Sequence, residues 1–545
     1  MTESTKPLTY MQAQLADRWD AIVIGSGMGG LTAAAMLSVH GGKRVLVLER
    51  HYVAGGFTHA FHRPGFDWDV GVHYIGMVND LRSPVRRAFD NITNGAVQWA
   101  PMPDVYDRIL IDGHRYDFPT GEERFRAELI RNFPGEARAI DRYLRAVRSA
   151  DRMSGLYYAE KVVPAKISRA IGGLMRAPYL RWAGRTTLEV LSEITSNREL
   201  IGVLTAQWGD YGLPPTQSSF AVHATIVEHY LEGAGYPVGG AATIAAAIVP
   251  VIMRGGGAVV TSADVAEIVV KNGTAAGVRM ADGREFTADA VISDAGATNT
   301  FGRLLPEEMP AGQNSALHEL RSELKKLPTS KAHLNLYVGL DRTDAELGLK
   351  GTNLWIYPGY DHDENLRRFL ADPTGPFPAV YISFPSAKDP DFERRHPGHS
   401  TIEAITVIGY DSFAQWADLR WKQRGADYED FKRQLTERLI EEIVRQVPQI
   451  AGHIVHSELS TPVTTRHFMN YEKGEIYGIA ATPARFKQRG LGARTPVRNL
   501  YLTGQDAAGL GVTGALFGGA MSASVVLGRN LMSAVIKPMA QARTA

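Results

Sequence analysis

The order of apolar and polar positions predicts a nucleotide-binding α/β unit near the start of the chain. A strand-like apolar run from Ala21 to Ile24 leads into a glycine-rich turn and a small-residue segment from Leu31 to Val39, and a second strand-like run spans Arg44 to Leu48. Short apolar runs indicate buried strands, and the segment between them indicates a helix. Because parallel strands need a crossover connection, the pattern predicts a right-handed β-α-β unit.

Two later segments show the same kind of pattern. Residues 235–305 hold an alanine-rich stretch and short β-rich runs that are separated by the hairpin turn signals Asn272-Gly273 and Asp282-Gly283. Residues 461–545 hold a strand-like run that ends at Gly504, then more glycines and a small-residue helix. We therefore predict an α/β fold whose discontinuous Rossmann-type domain is built from residues 1–79, 235–305 and 461–545.

The two blocks between these segments predict an inserted α+β domain. The pattern of residues 80–234 is mainly helical. Residues 306–460 contain apolar or alternating runs typical of an antiparallel sheet with one face on a core or a ligand cavity, followed by a helix from about Tyr428 to Gln446. We assign both blocks to a substrate domain.

Length, charge and cysteine content exclude several classes of function. A chain of 545 residues exceeds the usual size of a single hydrophobic core, so two lobes are expected. The chain has 59 basic and 58 acidic side chains, a formal charge of +1, so no overall field favours nucleic acid. It contains no cysteine, which excludes disulfides, thiolate metal sites and cysteine nucleophiles.

The sequence gives no sign of a membrane span or an export signal. The N-terminal residues are polar, and the longest apolar stretch, Ala241 to Met253, is too short to cross a bilayer. We expect that stretch to be a buried helix and the protein to be cytoplasmic, with peripheral membrane contact as an open alternative.

The glycine-rich turn matches a dinucleotide-binding motif in the context that this motif requires. Gly25, Gly27 and Gly30 follow a strand and open a helix, and Glu49 ends the next strand 19 residues after Gly30. In this reading Gly25 permits the tight turn, Gly27 admits backbone N–H groups to the pyrophosphate, and Gly30 lets the helix close on the strand. Glu49 accepts the ribose hydroxyls.

The residues after Glu49 favour FAD over a nicotinamide cofactor. Arg50 and the pair Gly55-Gly56 form a run in which a second glycine turn allows the backbone to pass close to the cofactor. A plain loop turn is the alternative. The carboxylate of Glu49 also disfavours the 2′-phosphate of NADP, and the sequence contains no second motif of the same kind.

The motifs of this α/β unit resemble the phytoene desaturase, carotenoid isomerase and retinol saturase group of flavoproteins, and retinol saturase most. The similar stretches lie mainly in the predicted Rossmann-type domain and include DAIVIGSGMGGLTAAAML, RVLVLERHYVAGGFTHAF, DVGVHYIG, GYPVGGAATIA, VISDAGATNTFGRLLP, TPVTTRHF, GEIYG and NLYLTGQD. The substrate domain matches much less.

The resemblance implies further contacts to FAD. Val265 would lie at the adenine end, and Gln505 and Asp506 would lie at the ribityl or diphosphate group. Gly511, Val512 and Thr513 would place a helix N-terminus near the isoalloxazine ring, where it stabilises the negative charge of reduced flavin. By the same resemblance Gly504 would lie close to the cofactor. The alternative is that these glycines serve only the close packing of helices.

His73 and Tyr74 are the predicted catalytic residues, since they follow Asp69-Val70-Gly71 and should border the flavin on the substrate side. Saturation of a double bond requires a hydride and a proton, and either side chain is a suitable acid. The alternative is that both side chains only pack and form hydrogen bonds. The nearby residues His51, His59 and His62 follow no helical ligand spacing, so no metal site is predicted.

Residues 151–189 form a basic amphipathic stretch with seven basic and three acidic side chains. It is typical of an interfacial helix that draws an apolar substrate from a membrane, or of a helix that covers the substrate domain.

The leading hypothesis is therefore an FAD-dependent oxidoreductase acting on a carbon–carbon double bond of an apolar polyene, with an unknown electron donor or acceptor. A flavin-dependent cis–trans isomerase or desaturase is the alternative. A flavin-free prenyl-lipid-binding chaperone is a remote third hypothesis, because it would carry a degraded nucleotide motif.

Overall fold

The computed structural model of the chain describes residues 6–307 and 314–536. Residues 1–5, 308–313 and 537–545 of the predicted domain ranges lie outside it. The strands of the described part are β1 Leu8–Thr9, β2 Arg18–Ile24, β3 Val45–Leu48, β4 Ala60–Arg63, β5 Phe66–Asp69, β6 Ile75–Gly76, β7 Trp99–Pro101, β8 Val105–Ile111, β9 His114–Pro119, β10 Ala234–Pro237, β11 Ala258–Thr261, β12 Val265–Lys271, β13 Thr274–Met280, β14 Glu285–Ser293, β15 Ala332–Leu340, β16 Asn353–Tyr357, β17 Val380–Ser383, β18 Ser400–Ile408, β19 Ile454–Ser460 and β20 Leu500–Leu502. The helices of the same residues are α1 Met28–Gly41, α2 Pro84–Thr93, α3 Glu122–Asn132, α4 Ala137–Val162, α5 Ala165–Ala183, α6 Thr187–Ile194, α7 Arg198–Leu204, α8 Phe220–Leu231, α9 Ala242–Arg254, α10 Ala297–Asn299, α11 Asn314–Lys326, α12 Asp344–Leu347, α13 His362–Ala371, α14 Pro385–Lys388, α15 Phe392–Arg395, α16 Ala426–Gln446, α17 Pro462–Met469, α18 Pro483–Lys487, α19 Gly511–Val526 and α20 Met532–Ile536.

The first sheet carries the predicted nucleotide-binding unit. Its order is β1-β11-β3-β2-β14-β13-β12, and β20 also pairs with β14. The strands β3, β2, β14 and β20 run parallel, whereas β14, β13 and β12 form an antiparallel meander. The turn between β12 and β13 uses Asn272 and Gly273 at φ 49° and 67°, as a tight hairpin requires. Together with the second sheet, this arrangement confirms the predicted α/β class.

Glycines allow helices α1 and α19 to pack backbone against backbone under this sheet. A Cβ atom placed on Gly519 would lie 2.5 Å from the carbonyl oxygen of Gly29, and one on Gly518 would lie 2.5 Å from that of Gly504. No real Cβ tolerates such distances, so both positions require glycine. This contact brings the end of the chain onto the glycine-rich turn after β2.

The second sheet has the order β19-β15-β18-β17-β16-β8-β9. It is antiparallel except where β16 and β8 run parallel. The strands β8 and β9 come from residues 80–234, whose pattern predicted mainly helix. They form an antiparallel hairpin within this block, and β8 also pairs with β16, which lies more than 200 residues later in the chain. The predicted domain boundaries themselves stay a prediction.

The stretch 151–189 is a helical hairpin and its flanks, so the prediction of a single helix was wrong. Helix α4 ends at Val162, α5 begins at Ala165, and α6 follows at Thr187. Val163 is extended, at φ −64° and ψ 154°, because the residue before a proline avoids the helical region. Pro164 therefore separates the two helices. The apolar stretch from Ala241 forms the largely buried helix α9, as predicted.

Among the described helices, none has both the length and the apolar character needed to cross a bilayer.

Candidate active site

A large cavity extends from the glycine-rich turn after β2 to the second sheet. Its volume is about 1210 Å³. A single drug-sized ligand typically occupies a pocket of about 300–1,000 Å³, so this cavity has room for a dinucleotide and a second, apolar molecule. Of the predicted cofactor residues, those on the wall of this cavity are Gly25, Gly27, Glu49, Arg50, Gly55, Gly56, Val265, Gly504, Gln505, Asp506, Gly511, Val512 and Thr513. Gly30 lies behind the wall, where a Cβ atom would clash with the carbonyl oxygen of Gly25.

The glycine cradle, formed by Gly25, Gly27, Gly29 and Gly504, leaves no room for side chains. Gly25 has φ +97°, and a Cβ on Gly29 would lie 2.5 Å from the backbone nitrogen of Gly504. Helix α1 starts at this cradle without any side-chain cap at Gly27. The carboxyl of Asp294 accepts hydrogen bonds from the backbone N–H groups of Gly27 and Gly30 at this helix start, which is where a helix N-terminus binds an anion.

Glu49 lies at the end of β3 and holds the cradle in shape. Its Oε2 accepts hydrogen bonds from the backbone N–H of Ser26 at 2.8 Å and from the Ser26 hydroxyl at 2.7 Å. Its Oε1 accepts from the N–H of His51 at 2.7 Å. Ser26 in turn accepts from the N–H of Gly55 at 3.0 Å. The predicted ribose ligand is thus also a structural link between the two glycine turns.

Other predicted residues link distant segments at the cavity wall. Arg50 donates to the carbonyl of His467 at 2.7 Å. Asp506 accepts from the N–H groups of Ala297 at 2.8 Å and Ile479 at 3.1 Å. Gln505 donates to the hydroxyl of Tyr471 at 3.1 Å. Helix α19 begins at Gly511, as the resemblance implied for a helix N-terminus facing the flavin.

Asp294 is a site residue that sequence reasoning missed. It follows β14, and a Cβ on Gly27 would lie 2.5 Å from its Oδ2. Burial raises the pKa of Asp294 to about 8, and the charges of Glu49 and Asp506 act in the same direction. The signal was an acid at the carboxyl end of a parallel strand, where open α/β sheets bind ligands.

His73 and Tyr74 lie on the wall of the same cavity, on the side of the second sheet. His73 Nδ1 is 3.0 Å from Oε2 of Glu403. The Tyr74 hydroxyl is 2.9 Å from Oδ2 of Asp107 and 3.1 Å from Oδ2 of Asp210. Burial lowers the pKa of His73 to about 3, and the nearby charge of Lys388 lowers it further. The imidazole is therefore neutral at physiological pH.

Around His73 and Tyr74 the wall is apolar and aromatic. Tyr74 stacks on Tyr230 with ring centroids 4.3 Å apart, and Trp355 packs against Tyr381 at 4.5 Å. The remaining apolar lining on this side comes from both domains and includes Tyr158, Tyr179, Val222, Ile226, Ala379, Ile405, Val407, Tyr477, Phe486 and Leu510. A flat apolar molecule fits such a lining.

Sequence reasoning also missed a group of titratable residues at or behind this wall. Asp210 and His333 line the cavity, whereas Lys388 and Glu403 lie behind it. Glu403 offered a signal, because it is a charged residue within the apolar run of β18. Asp210 and Lys388 occupy loop-like sequence without such a pattern.

The residues of the cavity fit FAD. The cradle is built of glycines where a pyrophosphate must approach the backbone closely, Glu49 lies where the ribose acid is required, and a second helix, α19, presents its N-terminus to the cavity. The sequence profile of the flavin-containing amine oxidoreductases matches residues 28–336.

An all-trans-retinol 13,14-reductase of Danio rerio is 36% identical to this chain over 541 residues, which cover 96% of the chain and 88% of the relative. The chain is a retinol saturase-like member of the flavin-containing amine oxidoreductase family. A prolycopene isomerase of an Oncidium hybrid cultivar belongs to the same wider group and is 27% identical over 93% of this chain and 84% of its own length.

The fold of this family member is also found in a cyclohexylamine oxidase from Brevibacterium oxydans. The two structures superpose with a TM-score of 0.56 at 16% identity, over 95% of this chain and 98% of the oxidase. The family confirms that the chain is an FAD-dependent oxidoreductase, and the intact glycine cradle does not fit a flavin-free lipid chaperone.

Glu49→Arg is expected to abolish FAD retention, because it replaces the acceptor of three hydrogen bonds with a cation. Glu49→Gln keeps an acceptor oxygen and should retain part of the flavin. The ratio of flavin absorbance to protein absorbance after purification measures this effect. Glu285→Arg, on β14 of the same sheet, is the control that should retain flavin fully. Wild-type flavin content in Glu49→Arg would contradict the assignment.

FAD binding is expected to weaken as pH rises through the raised pKa of Asp294, about 8. Below that pH the carboxyl is neutral, whereas above it an anion lies in the cradle where the anionic pyrophosphate binds. The dissociation constant of FAD from stripped protein should rise by about tenfold. Asp294→Asn should remove this pH dependence. The same alkaline loss in the asparagine variant would assign it to another group.

Proposed function

We propose that this chain reduces a carbon–carbon double bond of a long apolar polyene such as a retinoid. The observation that carries the proposal is the continuity of one cavity from the glycine cradle to the aromatic wall beside His73. The names of the relatives support it, since a retinol reductase is more similar to this chain than a prolycopene isomerase is. Reduced FAD supplies the hydride for such a reaction when it is bound.

The proton must come from the protein, because the apolar wall excludes bulk water. Hydride addition leaves carbanion character on the neighbouring carbon of the double bond, and a positioned N–H or O–H group must quench it. Of the two predicted acids, His73 is the better supported. With Nδ1 beside Glu403, its Nε2 is the nitrogen left for the cavity.

Tyr74 is less suited to this role because its hydroxyl is already engaged. A phenol has one hydrogen, and this one lies between the carboxyl groups of Asp107 and Asp210. Burial and the charge of Asp107 raise the pKa of Asp210, and the hydrogen bond that Asp210 accepts from Tyr74 opposes this rise. The Tyr74 pKa is also raised well above its usual value by burial. Both features favour a positioning role for Tyr74.

A single anaerobic turnover tests the reaction. Dithionite-reduced enzyme is mixed with all-trans-retinol, and flavin reoxidation is followed together with the mass of the product. We expect one flavin oxidised for each product molecule, with a mass increase of two hydrogens. A product of unchanged mass but changed double-bond geometry, formed without net flavin oxidation, would establish the isomerase alternative, and no conversion of any polyene tried would contradict the proposal.

His73→Phe is expected to slow saturation by about 10²–10⁴-fold, the usual contribution of one general acid, while FAD stays bound. Tyr74→Phe should cause a smaller loss. His114→Phe, at an exposed position of β9, is the matched control and should leave the rate unchanged. Full activity in His73→Phe would remove this histidine from the mechanism.

We also propose that the hairpin of α4 and α5, within residues 151–189, contacts an anionic membrane surface. Three apolar side chains of α5 share one helical face at spacings of four and three residues, and they are exposed: Ile167 at 45%, Ile171 at 45% and Leu174 at 78%. The exposed cations Lys166, Arg169 and Arg181 lie on the same helix. Apolar side chains among cations are typical of interfacial helices.

The inner side of this hairpin supports a link between the membrane and the cavity. Tyr158 and Val162 of α4 and Tyr179 of α5 line the cavity, while the outer face of α5 is exposed. An apolar substrate that leaves a bilayer at this face would need to pass only one layer of helices. Not all the cations take part, since the Lys161 ammonium is buried and donates to the carbonyl of Ala507 at 3.3 Å.

Ile171→Glu combined with Leu174→Glu is expected to abolish co-sedimentation with phosphatidylglycerol-containing vesicles and to leave the flavin spectrum unchanged. Wild-type binding should weaken with added salt, because the cations contribute. Val455→Glu, at an exposed apolar position of β19, is the matched control. Binding that resists both the double substitution and salt would contradict membrane contact at this face.

A further inference from the structure

We propose that Glu403 is the proton source of the reaction and delivers its carboxyl proton through the imidazole of His73. This inference rests on the proposed function, because it explains how a neutral imidazole at the cavity wall can act as an acid more than once. Glu403 itself does not touch the cavity.

The geometry places Glu403 directly behind His73. Glu403 lies in the middle of β18, with its side chain 0% exposed, and its Oε2 is 3.0 Å from Nδ1 of His73, whose side chain is 12% exposed. Among the described residues neither of these two atoms has another hydrogen-bond partner, so each is left for the other. The other carboxyl oxygen, Oε1, accepts from the backbone N–H of Asp69 at 3.1 Å.

The proton rests on the carboxyl group and not on the imidazole. Burial raises the pKa of Glu403 to about 8, although the nearby charge of Lys388 and the N–H of Asp69 oppose this rise. The lowered pKa of His73 means that the ring does not compete for the proton at rest. The titratable groups that interact with this pair from the neighbouring elements are Asp69 of β5, Tyr236 of β10, His333 and Tyr337 of β15, and Lys388 of α14.

Lys388 is a positioning residue for this pair. Its ammonium group donates to the backbone carbonyl of His73 at 2.9 Å and to the hydroxyl of Ser383 at 2.7 Å, and also to the side-chain oxygen of Asn353. These bonds fix the loop that carries the imidazole. Burial lowers the pKa of Lys388 to about 7, and in its protonated form this side chain stabilises the carboxylate that Glu403 becomes after it has lost its proton.

The relay is balanced in protons and electrons. When bound, reduced flavin would supply the hydride for one new C–H bond, and the electron pair of the double bond would then move to the neighbouring carbon. That carbon takes the proton from Nε2 of His73. At the same time Glu403 Oε2 gives its own proton to Nδ1 of the imidazole. The imidazole stays neutral in its other tautomer. Proton uptake from water then restores the Glu403 carboxyl, and the ring returns to its first tautomer.

A purely structural role for Glu403, holding the loop after β5 through the N–H of Asp69, makes a different prediction. Glu403→Gln keeps an oxygen that accepts this hydrogen bond, so a structural role would leave the reaction and its pH profile unchanged. The relay needs the acidic proton, which an amide does not supply.

The test compares FAD-loaded wild type, Glu403→Gln and the matched control Glu458→Gln. Tyr337 of β15 pairs with Glu403 of β18 on one side and with Glu458 of β19 on the other. Single-turnover reduction of all-trans-retinol is followed across pH.

In wild type and in the control the rate should fall as pH rises through the raised pKa of Glu403, about 8, since the protonated carboxyl is the active form. In Glu403→Gln the rate should be about 10²-fold lower and should lose this alkaline fall, with flavin content unchanged. Wild-type rates and an unchanged pH profile in Glu403→Gln would overturn the relay.

A second measurement does not depend on turnover and separates the relay from the proposed function. Infrared difference spectra across pH should show a protonated carboxyl in the wild type that is absent in Glu403→Gln and shifted in His73→Phe, because the imidazole accepts its hydrogen bond. If wild type converts no polyene but this signal is present, the proposed function fails while the proton store stands. If Glu403→Gln does not fold, His73→Phe alone decides: a carboxyl signal that is absent, or that His73→Phe leaves unshifted, overturns the relay.

Discussion

The close approach of three glycine segments determines where everything else in the site lies. The first turn of α1, the segment after β20 and the middle of α19 come within backbone contact, since a Cβ on Gly29 would lie 2.5 Å from the nitrogen of Gly504 and one on Gly519 would lie 2.5 Å from the oxygen of Gly29. This contact joins residues that are more than 450 positions apart. It forms the cradle, exposes the N-termini of α1 and α19 to the cavity, and closes the Rossmann-type domain around the inserted blocks.

The opposite wall of the cavity depends on a different constraint, which is the burial of charge beside an apolar chamber. Asp107, Lys388 and Glu403 lie behind aromatic side chains, and burial shifts their pKa values toward the neutral forms. Such groups are costly to bury unless they are paired or protonated. Hydrogen bonds through Asn353 link Asp107 and Lys388 and order this part of the wall, and the buried groups hold their protons away from bulk water. A site that adds hydrogen to an apolar substrate needs both properties.

The β-α-β part of the cradle could be predicted from the sequence because its determinants are local. Gly25, Gly27, Gly30 and Glu49 belong to one β-α-β unit, so their spacing alone places them together. The strands of residues 332–408 were also readable from their apolar patterns. The pairing of β8 with β16 was not, because no local signal records which distant strand completes a sheet. For the same reason Glu403 and Asp294 became site residues only when the fold brought them to His73 and Gly27.

We expect an apolar polyene to bind in the same cavity as the cofactor, with a double bond beside His73. A crystal structure of the oxidised, FAD-loaded enzyme with all-trans-retinol bound tests this most directly. The polyene should lie among the side chains of Tyr230, Trp355 and Tyr381, with an olefinic carbon in contact with the His73 imidazole. A polyene bound outside this cavity, or bound within it but with His73 shielded from the double bond, would contradict this substrate site.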